Sequence, residues 1–229
     1  MTGLRTPGKD KSKDRLPQAL RLLPLWGAVS GALIWGVSRL VHSGSFLVIG
    51  WILVCLDLLL GGLYIFCRLV FWATGCSHDP EQGGLRYRLR LSALSSGFLW
   101  LILLYGAYFH LLRSGSSSVF LTSMVVSRWE LCCVVRVGPE VRPGSWHLGF
   151  DRRCFAFATY SALLVLLPFC SLQLFCTMLP TLAGMVLFIK NCSRRYGGLY
   201  KNAYGFFAGW AQVLFLWFWI FWERIGLLF

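Results

Sequence analysis

The chain has 229 residues, of which 57% are hydrophobic, 16% aromatic and only 14% charged. With a mean hydropathy of +0.64 it has too little polar surface to cover a soluble globule, which excludes a soluble enzyme or binding module and leaves a membrane protein. Formal net charge is +13, from 22 Lys and Arg against 9 Asp and Glu. The basic residues are scattered through short loops without the aromatic platform that single-stranded nucleic acid needs. They therefore read as topology signals and contacts to anionic headgroups, with no nucleic-acid partner.

Residues 1–22 carry Arg5, Lys9, Lys11, Lys13, Arg15 and Arg21 with almost no apolar content before Leu20, which predicts a disordered basic tail on the cytosolic side. Asp10 and Asp14 argue against a transit peptide. The remainder, 23–229, reads as one polytopic transmembrane domain. Apolar runs at 23–41, 46–74, 91–112, 155–189 and 203–222 are the expected spans, each meeting or exceeding the ~20 residues a crossing requires. The stretch 119–137 is ambiguous, because Arg128 and Glu130 interrupt a valine-rich run. A further span competes there with a β-rich or interfacial segment reaching toward residue 150. The run 155–189 is too long for one upright helix at ~1.5 Å per residue. Pro168 and Pro180, with Ser171, Gln173 and Thr177 nearby, suit a broken or re-entrant hairpin, against a single kinked helix. The expected fold is an all-α membrane protein, a multi-pass helical bundle of about four to six membrane segments.

Asp57 lies in the middle of an apolar run, and an ionisable group within a span is a functional-site hypothesis by default. If the turn at 42–45 folds the first two spans into an antiparallel pair, Ser30 stands at the same depth. Asp57 then reads first as a packing group hydrogen-bonded to Ser30, and second as a proton or cation site. Gln173 is the other mid-membrane polar group. Gly27 with Gly31 and Gly205 with Gly209 form GxxxG pairs on which helices can pack closely. The tryptophans of the last span read as interfacial anchors whose indole N–H groups reach headgroups. Arg86, Arg88, Arg90, Arg194 and Arg195 are the expected headgroup contacts.

Nothing in the pattern demands a cofactor or a metal. The nine cysteines read as reduced filler, with palmitoylation of Cys76 or Cys192 as the alternative. His42, His78, His110 and His147 fall in different loops or span edges, with no organised catalytic motif around them. Asn191 opens a formal glycosylation sequon that abuts a span, so no glycan is expected. Glu223 with Leu227 and Leu228 gives a weak acidic-dileucine match. The reading that follows is a non-catalytic scaffold or assembly subunit of an endomembrane complex in the endoplasmic reticulum or Golgi, with the mitochondrial inner membrane as a second location. Its partners would be the anionic bilayer and other membrane subunits or further copies of itself. The alternatives are a membrane-shaping hairpin protein and a small transporter or lipid-handling enzyme using Asp57.

Overall fold

Apolar runs of this length have no water to satisfy their peptide groups, so their backbones close into helices. The structure, a computed structural model, describes residues 19–40, 45–62, 85–139, 150–196, 198–199 and 201–226. It consists of α1 (Leu23–Leu40), α2 (Phe46–Asp57) with a π-helical extension (Leu58–Gly62), α3 (Leu85–Ser114), α4 (Val119–Val137), α5 (Arg152–Leu166) with a 3₁₀ turn (Leu167–Phe169), α6 (Leu172–Tyr196) and α7 (Lys201–Gly226). The result is an all-α multi-pass bundle with no strand among the described residues. Among the described residues four segments are long and apolar enough to cross a membrane: Gly97–Ser114, Arg152–Phe169, Leu172–Arg194 and Tyr204–Gly226.

The ambiguous stretch 119–137 is helical rather than β-rich, and residues 140–149 of the expected segment lie outside the described residues. The helix is α4, the hub of the bundle, packed by α1, α5, α6 and α7. Sixteen of its 19 residues are buried, Arg128 and Glu130 among them. A helix enclosed by other helices does not have to match lipid, and its hydroxyls are satisfied within the helix itself. Thr122, Ser123 and Ser127 donate to the carbonyls of Val119, Phe120 and Met124 at 2.9–3.1 Å. Valine's preference for strands is overridden by this burial.

The run 155–189 is broken, and the two prolines behave differently. Pro168 lies in the 3₁₀ turn after α5, where the chain becomes extended at Cys170 before α6 begins. Pro180 stays inside α6. Lacking an N–H, it frees the carbonyl of Cys176, and the indole Nε1 of Trp222 on α7 donates to that oxygen at 3.2 Å. Trp217 likewise donates to Leu103 O at 3.1 Å and Trp100 to Gly209 O at 3.0 Å. These indoles tie helices together; of the last span's tryptophans, expected to reach for headgroups, Trp217 and Trp222 bond to backbone carbonyls of neighbouring helices instead.

Close helix approach occurs at α1 on α4. A Cβ at Gly27 would lie 2.7 Å from Met124 O and 3.0 Å from Arg128 Cγ, and one at Gly31 would lie 2.7 Å from Leu121 Cα. Gly205 and Gly209 are buried in α7. All four glycines are therefore packed within this chain and give no argument for an external subunit.

Candidate functional site

The polar centre of the bundle is assembled by four helices. Asp57 is the last residue of α2, 1% exposed, at the point where the helix loosens into its π-helical extension. Such π segments are frequent at functional sites. The indole Nε1 of Trp26 on α1 donates to Leu60 O at 3.2 Å within that extension. Tyr108 on α3 donates its hydroxyl to Asp57 Oδ2 at 3.0 Å, and Gln212 Nε2 on α7 donates to the same oxygen at 2.9 Å. Gln212 Nε2 also lies 3.2 Å from Tyr108 Oη, which closes a triangle of hydrogen bonds. Tyr108 is held in orientation by Phe120 of α4, with ring centroids 4.8 Å apart. Arg128 on α4, the one buried Lys or Arg among the described residues, is a charge neighbour of both Asp57 and Tyr108. The Oε1 of Gln212 is buried and has no hydrogen-bond partner.

The expected pairing of Asp57 with Ser30 does not form. Ser30 donates back to its own helix, with Trp26 O at 2.9 Å and Gly27 O at 3.1 Å, as short hydroxyl side chains in helices commonly do. Gln173 is not part of the centre; its Nε2 donates to Trp219 O at 3.3 Å and helps join α6 to α7. Arg194 is exposed near the end of α6. Helix α3 includes positions 86, 88 and 90 and helix α6 includes 195, but the side chains of Arg86, Arg88, Arg90 and Arg195 lie outside the described residues.

Further polar contacts are separate from this centre. Glu130, fully buried on α4, accepts from Thr181 Oγ1 at 2.6 Å while its Oε2 has no partner. At one end of the bundle Ser116 donates to Glu223 Oε1 at 2.6 Å, and Arg224 Nη2 lies 3.3 Å from His110 Nε2. Leu227 and Leu228 of the dileucine match, His42, His78, His147 and Cys76 lie outside the described residues. Cys192, offered above as a lipidation site, is only 3% exposed, so an acyl chain has no access to its sulfur. The seven described cysteines are free thiols. Among the described residues no three His, Cys, Asp or Glu side chains group closely enough to hold a metal ion.

Tyr108 and Gln212 carry the centre, and sequence reasoning missed both. Gln212 was open to the same rule that drew attention to Asp57, since an amide in an apolar span is equally out of place. Tyr108 was not, because tyrosine is at home near membrane edges.

Fold and centre together define the class: an integral membrane protein whose bundle encloses a hydrogen-bonded carboxylate beside a buried cation. A family model described as CobS, cobalamin-5-phosphate synthase, matches residues 92–220, more than half of the chain, and the chain belongs to this family. No curated protein and no solved structure shows significant similarity to it. The match overturns the expectation of a non-catalytic scaffold, because the family is described by an enzymatic activity.

Proposed function

We propose that the chain is an integral membrane enzyme that forms a phosphate-bearing product, in keeping with its family's description, and that the Asp57 centre is where the chemistry takes place. The observation that carries this reading is that three of the centre's four residues, Tyr108, Arg128 and Gln212, fall within the matched residues 92–220. Tyr108 and Gln212 donate to Asp57, which precedes the matched stretch, and Arg128 is its charge neighbour. Perturbing, desolvated surroundings of this kind are what catalytic groups require.

In this reading Asp57 is the general base. Both Tyr108 and Gln212 donate to Oδ2, which fixes the plane of the carboxylate and leaves Oδ1 to take the proton from an attacking hydroxyl. The new O–P bond forms as that proton transfers, and the leaving group departs with the electron pair of the bond that breaks. The guanidinium of Arg128 supplies charge stabilisation. The lipid-handling alternative weighed above is the nearest to this reading. The comparisons lend no support to a location in the endoplasmic reticulum or Golgi.

The test is reconstitution of the purified chain in liposomes and assay of formation of cobalamin-5-phosphate, the product named in its family's description. Product with the wild type and none with Asp57→Asn is the expected result. No product with wild-type protein, or undiminished product with Asp57→Asn, overturns the proposal.

A further inference from the structure

Glu130 is the second buried acid of the bundle, and it lies apart from the Asp57 centre. Side chains two residues apart on a helix project about 200° from one another, so Arg128 turns toward the centre while Glu130 turns toward α6. Arg128, the one buried Lys or Arg among the described residues, acts on Asp57 and Tyr108. Glu130 is fully buried and its Oε2 has no partner. Of the four helices packed against α4, the polar side chain that reaches Glu130 among the described residues is Thr181 of α6, and no charged group of α1, α5, α6 or α7 pairs with it. The titratable group its charge acts on is Cys133 of its own helix. A carboxylate in such a place is costly, and an acid without a counter-cation takes up a proton instead.

The hydrogen bonds around Thr181 point the same way. Its Oγ1 lies 2.6 Å from Glu130 Oε1 and 2.8 Å from Met178 O, and a hydroxyl has one hydrogen to give. The neighbouring Thr177 hydroxyl is committed to Gln173 O at 2.7 Å and offers none. With a carboxylate at position 130, Thr181 serves Oε1 and leaves Met178 O. With a carboxylic acid, Oε1–H donates to Oγ1 and Oγ1–H donates to Met178 O, so one added proton satisfies both short contacts.

We infer that Glu130 is a proton-binding site in the bundle core: a proton from the aqueous phase rests on Oε1, and the Thr181 hydroxyl turns from Glu130 to Met178 O to receive it. The only covalent bond made is the acid O–H. Proton loss breaks that bond and reverses the turn. The site does not depend on the function proposed above. It makes the contact between α4 and α6 sensitive to pH, because the chain from Glu130 through Thr181 to Met178 O is complete only while the proton is held.

Infrared difference spectroscopy of the full chain in nanodiscs of ether lipids, which carry no ester carbonyl, tests this. Wild-type protein in mildly acidic medium is expected to show the C=O band of a carboxylic acid, shifted in heavy water. The band should give way reversibly to carboxylate bands as the medium is made alkaline. It is lost in Glu130→Gln and kept in Asp57→Asn. Its absence from wild type, its survival in Glu130→Gln or its persistence into strongly alkaline medium overturns the inference. Should Glu130→Gln not fold, Thr181→Val decides, because it keeps the acid and removes its acceptor: the band is expected to move, and a band at its wild-type position overturns the inference.

Discussion

Two carboxylates are buried in the same bundle, Asp57 and Glu130, and their surroundings differ. Asp57 receives two donors from two different helices on one oxygen and has a cation nearby. Glu130 receives one donor, Thr181, and its second oxygen has no partner. Thr181 in turn has another acceptor within reach, Met178 O at 2.8 Å. The first arrangement is a network in which each member fixes the next; the second is a contact that either partner can leave. Burial of an acid in a membrane bundle therefore does not by itself mark the place of chemistry; the convergence of independent helices on one oxygen is what favours Asp57 over Glu130 in the proposed function.

The largest effect that separates the two is on turnover. Asp57→Asn removes the base but keeps an acceptor for Tyr108, and Gln212 Oε1 can accept from the new amide, so the fold persists. Product formation in liposomes is expected to fall by about 10²-fold or more. Glu130→Gln should leave the rate within a factor of a few; equal losses in the two variants would break the distinction.

Next in size is stability. Asp57→Leu strands the Tyr108 hydroxyl and the Gln212 amide together, which should cost about 2 kcal/mol or more in unfolding by denaturant in mixed micelles. Glu130→Leu strands only Thr181, which returns to Met178 O, and should cost under about 1 kcal/mol. A double-mutant cycle sharpens the picture on the Glu130 side, where α6 carries Pro180 beside Thr181. Trp222→Phe removes the donor to Cys176 O and should destabilise by about 1 kcal/mol. Adding Pro180→Ala restores a backbone donor to that carbonyl, so the double variant should recover most of the loss; strictly additive losses would refute the capping role.

The smallest effect belongs to a carboxylate outside the bundle. Asp151 is the N-cap of α5, where Oδ1 accepts from the Cys154 backbone N–H at 2.8 Å, and that hydrogen bond lowers its pKa from the ordinary 3.8. A lowered folded-state value means a contribution that is complete above the unfolded pKa and is lost as pH falls through the folded one. Thermal unfolding of Asp151→Asn should therefore differ slightly from wild type at neutral pH and converge on it as pH falls through the lowered folded-state pKa.

How far the sequence carried this picture depends on whether the cause of each feature is local. The apolar run expected at 23–41 is helical as α1, Leu23–Leu40, and that expected at 203–222 lies within α7, where Tyr204–Gly226 is long and apolar enough to cross a membrane, because local apolar length determines helix formation at both. Helix α4 was left undecided because Arg128 and Glu130 are acceptable only once four other helices enclose them, and no local pattern records that enclosure. The partners of Asp57 lie 51 and 155 positions away, so a depth argument based on the nearest turn selected Ser30, whose hydroxyl is already spent on its own helix. The GxxxG at Gly27 and Gly31 was visible, but its partner, α4, was not.

The enclosure of α4 also bears on how the protein is made. Released alone into lipid, a helix bearing Arg128 and Glu130 would face a cost of about 2.5–3.5 kcal/mol for each charge on insertion scales. The apolar segments that follow it, Arg152–Phe169, Leu172–Arg194 and Tyr204–Gly226, are synthesised later, and α7 supplies one of its main walls. During synthesis α4 must therefore shelter against α1 and wait, its charges screened on one side only, until α5 and α7 emerge. Truncation after Tyr196 would leave a chain with every hydrophobic span but the last and a hub helix with an open flank, a natural substrate for membrane quality control.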